Sequence, residues 1–491
     1  MERVLAGLEP QNVLYWFEEI CKYPHGSYHE KPLSDYLVEF AKERGFAVRQ
    51  DESWNLAIEV PATPGYEDCP KMILQAHIDM VCKKLEGSDF DFETDPLEIY
   101  VDNGWIRAKG TSLGADNCGA VAILMAIMDS KTIKHPPLQV LLTVIEEVAC
   151  TGAGRMDYTW PDGEYLINMD LFRDDAMMLS CAGISIYDID WAVERVAIPE
   201  GKTAIEIGIS GLKGGHSGEE IHEGRGNAIG VLAELLWVLR DRHGCDVISM
   251  SGDGLFNVIS SVSRATICCD ADQADAVQAT INEVGKQIRV SYVNAEPDMM
   301  FVSLAREVEP EETCLAPVVC DQILNFLYTA PLNMNTPFNT PCTLASSSSN
   351  FGSLKEMDGV MRLVMSIRSN PEYRHDQMYN KYRILCKQMG AKLIQNRRIS
   401  SWEYNPDSPL RDLAYQIYTE QNGQPPEMIF VHSGVEVATF LAKLKEQGRV
   451  ADAIAFGYNI LEAHSTNEAM EIASLGKAYR WLTGILEAMK K

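Results

Sequence analysis

Basic residues are in short supply. The chain has 43 Lys and Arg against 70 Asp and Glu, which leaves its 491 residues with a formal net charge of −27. Such a balance disfavours nucleic acid and anionic membranes, and neither is expected as a partner. Long hydrophobic runs are missing too. No stretch of about 18 or more apolar residues occurs, so no membrane span is expected. Met1 to Pro10 carries Glu2, Arg3 and Glu9 and lacks the apolar core of a secretory signal. Cysteine is present in 13 copies, an odd number without a CxxC pair. That reads as reduced, buried cysteine in a cytoplasmic protein, not as a disulfide framework. There is no HExxH pair for a single-zinc protease, and no serine nucleophile elbow is expected.

What is present suits a soluble globular chain too long for one core, so two or more domains are expected. Helical apolar patterns run over Gln11 to Tyr23, Leu33 to Arg44 and Cys118 to Met128. Short apolar runs at Lys71 to Ala76, Leu138 to Ile145 and Tyr165 to Met169 read as strands. This alternation predicts an α/β sheet with parallel members. From about Ile186 the texture changes. A strand and helix at Val262 to Cys268 and Ala274 to Ile288 are loosely repeated at Val360 to Ile367 and Tyr373 to Met389. Ser346 to Ser349 reads as a loop. After Ser400 the first texture returns, with a strand at Ala451 to Phe456 and a closing helix over Glu468 to Met489. The fold class is therefore α/β. A mixed-sheet domain, residues 1–185 and 401–491, is interrupted by an inserted α+β domain, 186–400, with two similar halves.

Five polar sites lie at predicted strand ends or in glycine-rich loops, where open α/β sheets collect ligands. His77 and Asp79 follow Met72-Ile73-Leu74. Asp116 sits in Leu113-Gly114-Ala115-Asp116-Asn117, Glu146 and Glu147 end one strand, Asp170 ends another, and His464 lies in a late loop. Singly, each has a bland reading: a cap, a solvated strand end, a satisfied core histidine. Together, two histidines and several carboxylates without cysteine suit zinc or a similar divalent ion. Two ions need a bridging carboxylate. Asp116 with His77 and Asp170 on one side, and with Glu147 and His464 on the other, meets that count. Asp79 is then free to hold the His77 ring, and Glu146 to act as a base.

Four segments resemble the motifs of the M20 zinc peptidases: Gln75-Ala76-His77-Ile78-Asp79-Met80-Val81, Leu113 to Gly119, Ile145-Glu146-Glu147-Val148 and Ala463 to Glu468. Within that family Gly214-Gly215-His216-Ser217-Gly218 and His432-Ser433-Gly434-Val435-Glu436 are similar to the aminoacyl-histidine dipeptidase branch. The resemblance implies a dipeptidase that takes small peptides, Xaa-His among them, with two Zn2+ per chain and Co2+ or Mn2+ as substitutes. It implies that Asp116 bridges, that Glu146 is the general base, and that the inserted domain is a lid. His216 would polarise the scissile carbonyl, Asn257 and Arg368 would grip the substrate's C-terminal end, and Glu436 would shape its pocket. Aminoacylases, deacylases and carboxypeptidases on the same core are the alternatives. Some relatives dimerise through a small lid, which leaves a homodimer open here.

Overall fold

The computed structural model describes residues 3–309, 311–337 and 345–490. The chain forms two compact units. The first comprises Met1–Ser180, Tyr404–Phe430 and Val435–Lys491, the second Cys181–Glu403 and Val431–Gly434. Among the described residues, no helix is long and apolar enough to cross a membrane.

The first unit is built on an eight-stranded mixed sheet. Its strands run Ala47–Gln50, Leu56–Val60, Leu138–Thr143, Met72–His77, Tyr165–Asn168, Asp452–Ala455, Ala176–Cys181 and Glu427–Val431 in spatial order. Met72–His77 pairs in parallel with both Leu138–Thr143 and Tyr165–Asn168. Every residue of Met72–His77 and Leu138–Thr143 is buried, as central parallel strands covered on both faces must be. The helix Ala115–Asp129 is apolar on all sides and buried from Ala115 to Met128, which marks it as an internal helix. A four-stranded sheet, Ile460–Leu461, Ala469–Glu471, Trp105–Ala108 and Ile99–Asp102, ties the late loop of the chain to the segment preceding Asp116. The closing helix spans Ile472–Ala488, shorter than predicted. Ala469–Glu471 is drawn into pairing with Trp105–Ala108 instead.

The second unit carries a nine-stranded sheet whose recorded pairings are all antiparallel. One half follows β-α-β-β-α-β along Lys202–Ser210, Ala228–His243, Asp246–Asp253, Val262–Asp270, Ala274–Ser291 and Met300–Glu307. The other follows the same order along Gly183–Ala192, Pro317–Thr329, Ala345–Met357, Val360–Ser369, Glu372–Gln388 and Lys392–Ile399. Numbered within each half, the main path of the sheet reads 4-1-3-2 and then 2-3-1-4. The second half is thus the first reversed across the Gly252↔Leu354 pair. One half is nested inside the other, entered and left through the ribbon Arg195–Ala197 with Thr313–Leu315. Ser346 to Ser349 is not a loop. It lies in the long strand Ala345–Met357 because each hydroxyl finds a partner: Asn370 O, Thr336 Oγ1, His432 Nε2 and Pro331 O respectively.

Candidate active site

The parallel pairing aligns the carboxyl ends of three strands. His77 closes Met72–His77, the chain leaving Leu138–Thr143 turns into Glu146 and Glu147, and the chain leaving Tyr165–Asn168 reaches Asp170. Asp116 comes from the first turn of the internal helix. Gly114 precedes it with φ of 68°, and a Cβ there would meet Met80 Sδ at 2.9 Å and His25 Nε2 at 3.0 Å, so the loop needs glycine. His464 comes from the loop between Ile460–Leu461 and Ala469–Glu471.

These residues meet. His77 Nε2 lies 3.0 Å from Asp116 Oδ1, and His464 Nε2 lies 3.0 Å from both Asp116 Oδ2 and Glu147 Oε1. Asp170 Oδ2 and Glu146 Oε2 each stand 4.0 Å from His77 Nε2. Asp79 faces the other ring nitrogen of His77 at 3.4 Å and accepts from Ser27 Oγ at 2.8 Å. The ligand atoms of His77, Asp116 and Asp170 lie within 4.8 Å of one another, as do those of Asp116, Glu147 and His464. Asp116 belongs to both of these trios, and His77, Glu146 and Glu147 form a third.

The charges are out of balance. Burial drives the Asp170 carboxyl up to about 8, with the Asp116 charge adding to it. Burial also pushes Glu146 well above the usual carboxylate range, with Asp170 and Glu436 adding to it. Asp116 is buried as well, but His464 and His77 hold it below its ordinary value. Asp116 and Glu147 in turn raise His464 to about 10. Two imidazoles cannot neutralise this many desolvated carboxylates, and divalent cations would. The donor set is entirely nitrogen and oxygen, which fits zinc or a similar ion.

Several residues support the cluster in ways that residue type alone does not reveal. Glu468, 2% exposed, accepts from the backbone N–H groups of Leu113, Gly114 and Asp116 at 2.8, 3.0 and 3.3 Å. Burial lifts its carboxyl to about 7. Tyr458 donates to Ala115 O at 2.7 Å and accepts from Ala120 N at 2.9 Å, bracing the start of the internal helix. Glu436 is fully buried, and its Oε2 accepts from Gln75 Nε2 and Thr143 Oγ1 at 2.7 Å each. That puts it inside the first unit, not on an open pocket wall.

In the second unit, Arg368 is only 4% exposed. Its Nε and Nη1 reach Ser217 Oγ and His432 O at 3.4 Å, and no carboxylate among the described residues pairs with it. Burial pulls its guanidinium down to about 10. His216 and Asn257 are neighbours across a bridge: the Ser217 N–H donates to Asn257 O at 2.8 Å, and His216 pairs with Val258. His216 Nδ1 and Asn257 Oδ1 are buried without hydrogen-bond partners. Burial, then the Arg368 charge, lowers the His216 pKa and keeps its ring neutral. His432, held down to about 3 by burial and then Arg368, bonds Ser348 Oγ at 2.7 Å.

Two other groupings read differently. Gly110-Thr111-Ser112-Leu113-Gly114 does carry the letters of a nucleophile elbow, contrary to expectation. Ser112 is fully buried, however, and spends its hydroxyl on Val81 O at 2.6 Å. No histidine among the described residues bonds it. Asp246, Cys268 and Cys314 also bring potential ligand atoms together. There Arg240 already pairs with Asp246, and both thiols pack with Ala204 and Ile248, which makes them core.

A mixed α/β sheet with an imidazole–carboxylate cluster at its strand ends defines the class: a metallopeptidase-type hydrolase. Residues 73–488 match the Peptidase family M20/M25/M40, and the chain belongs to that family. It is 31% identical over 483 residues, 98% of each chain, to the cytosol non-specific dipeptidase of Escherichia coli K12. It superposes on the aminoacylhistidine dipeptidase of Vibrio alginolyticus with a TM-score of 0.92 at 30% identity, covering 99% of this chain and 98% of that one. A tripeptidase from Staphylococcus aureus shares the fold at 16% identity, with a TM-score of 0.56 over 98% of this chain and 99% of that one.

Proposed function

We propose that this chain is a cytoplasmic dipeptidase that works with two divalent ions, zinc in the first instance. His77, Asp116 and Asp170 would hold one ion, and Asp116, Glu147 and His464 the other. The observation that carries this is Asp116, whose two carboxylate oxygens each face a different imidazole at 3.0 Å. When bound, such ions acidify water and polarise a carbonyl.

The chain's own residues do the rest. Glu146 takes the proton of the attacking water and returns it to the leaving amine. Asp79 fixes the ring of His77. His216, neutral and with its Nδ1 making no hydrogen bond, donates to the carbonyl oxygen as charge develops there. Arg368, a buried cation lacking a carboxylate partner, takes the C-terminal carboxylate of the substrate, and Asn257 assists from the same face. Glu436 shapes the substrate pocket from beneath, its buried carboxyl group held by Gln75 and Thr143. The similarity to dipeptidases favours free dipeptides, Xaa-His among them, over the N-acylated substrates of aminoacylases.

The test is a panel of free dipeptides, tripeptides and N-acyl amino acids, assayed with zinc-loaded and chelated protein. Hydrolysis of free dipeptides that disappears on chelation is the expected result. A preference for N-acyl amino acids would move the assignment to an aminoacylase.

A further inference from the structure

The turn that carries Glu146 and Glu147 is held by side chains from three other parts of the first unit. Four successive backbone N–H groups are taken in order. Val144 N donates to Asn55 Oδ1 at 3.1 Å and Ile145 N to Glu30 Oε1 at 3.0 Å. Glu146 N donates to Asp79 Oδ1 at 2.9 Å, and Glu147 N to Asp79 Oδ2 at 3.3 Å. Asn55 also donates to Gly152 O at 3.1 Å, closing the far side of the loop. Asn55, Glu30 and Asp79 are all fully buried.

Such a clamp answers a local difficulty. Ile145, a β-branched residue, sits at φ of 51°, and Ala149 and Cys150 at 58° and 54°. Side chains with a Cβ rarely adopt this conformation, and it persists only where the surroundings over-determine it. The loop also folds back tightly: a Cβ on Gly152 would stand 1.8 Å from Val144 O. Glu30 is diverted to this task. It occupies the N-cap position of the helix Lys31–Glu43, yet its side chain makes no cap hydrogen bond. Its carboxylate reaches Ile145 instead, across a sequence separation of 115.

We propose that Glu30 and Asn55 are positioning residues, which hold the Val144–Glu147 backbone so that Glu146 and Glu147 project into the cluster. The inference rests on the roles given above to Glu146 and Glu147. Neither Glu30 nor Asn55 touches the reacting atoms. A small displacement of a base or ligand is expensive, about a hundred-fold in rate for 1 Å.

The experiment compares Glu30→Met, Glu30→Gln and Asn55→Asp in the full chain. It reads amide hydrogen exchange over residues 144–152, zinc retention against a chelator, and kcat and KM separately. Glu30→Met removes the acceptor. It should speed exchange over residues 144–152 about ten-fold or more, loosen zinc, and lower kcat about ten- to a hundred-fold with KM within about three-fold. Glu30→Gln keeps an acceptor for Ile145 N and should stay within about three-fold of the unmodified chain on every readout. Asn55→Asp keeps the acceptor for Val144, loses the donor to Gly152 O and to Asp51 Oδ2, and sets a second carboxylate beside Asp51. It should open the same segment, and it decides the matter if Glu30→Met does not fold. Native exchange and native kcat in a folded Glu30→Met, or in Asn55→Asp where that variant decides, would overturn the proposal, as would a loss in Glu30→Gln equal to that in Glu30→Met. If the unmodified chain shows no chelator-sensitive dipeptide hydrolysis, the reading of the site has failed. The exchange measurement still judges the clamp.

Discussion

Asp116 and His464 are 348 residues apart in sequence, and their Oδ2 and Nε2 atoms are 3.0 Å apart in space. Asp116 starts the internal helix of the first unit. His464 arrives on a loop whose far strand, Ala469–Glu471, pairs with Trp105–Ala108 just ahead of that helix. Glu468 completes the connection by accepting from three backbone N–H groups of the Asp116 loop. In sequence, the whole span Cys181–Glu403 of the second unit lies between the two residues.

Asp116 belongs to two of the ligand trios and Asp170 to one. Asp116→Asn should therefore release metal from both positions, and Asp170→Asn from one. Elemental analysis after dialysis against metal-free buffer checks this. Equal residual metal in the two variants would mean that Asp116 is not shared.

Glu146 and Glu147 are adjacent but differently placed. Glu147 lies 3.0 Å from His464, whereas Glu146 stands 4.0 Å from His77, as Asp170 does, and also accepts from the Cys150 thiol at 3.4 Å. Glu146→Gln should keep its metal and lose about 10²- to 10⁴-fold in kcat, the usual worth of a general base. Glu147→Gln should lose metal as well. Near-normal turnover in Glu146→Gln would reassign the base.

Most of this cluster was legible in the sequence because strands announce themselves by composition. Met72 to Leu74, Leu138 to Ile145 and Tyr165 to Met169 are apolar runs, and a polar residue at the end of a buried run is conspicuous. What holds those residues in place was not legible. Glu30, Asn55 and Glu468 act through backbone N–H groups, which leave no trace in residue type, and over separations of 115, 89 and up to 355 residues. Ser346 to Ser349 misled for a related reason. Four serines look like a loop until each hydroxyl is seen to have a buried acceptor or donor. The Glu436 motif suggests a residue that shapes the substrate pocket, and the partners of its carboxylate, Gln75 and Thr143, are visible only in the fold.

His216 carries a buried Nδ1 that makes no hydrogen bond, with Glu219 Oε1 3.9 Å away, and burial and the Arg368 charge keep its ring neutral. A neutral donor that meets the carbonyl oxygen chiefly as charge develops contributes to the barrier more than to binding. His216→Ala should lower kcat about 10²- to 10³-fold with a smaller change in KM. Steady-state kinetics on one good dipeptide suffices, and a change confined to KM would make His216 a ground-state contact.

Arg368 offers the sharpest test of substrate length. The residue is 4% exposed, and its guanidinium donates to the Ser217 hydroxyl and the His432 carbonyl, both at 3.4 Å. A buried cation without a carboxylate partner is costly to keep unless a ligand supplies one. A guanidinium can take a carboxylate through two parallel hydrogen bonds. If that carboxylate is the substrate's own C-terminus, one residue beyond the scissile bond, Arg368 acts as a ruler. A tripeptide cut at its first bond would present a neutral amide there. Losing a charge-assisted contact costs about 1.5–3 kcal/mol, roughly ten- to a hundred-fold in kcat/KM. C-terminally amidated dipeptides should be poorer substrates than the free acids by that margin. Arg368→Met should lower kcat/KM on the free acids and narrow the gap to the amides, with metal content unchanged. The measurement is kcat/KM for matched acid and amide dipeptides on both proteins. Equal rates on acid and amide with the unmodified chain would remove the ruler altogether. An undiminished preference for the free acid in Arg368→Met would move it to another residue of the same unit, with Asn257 and His432 the first to examine.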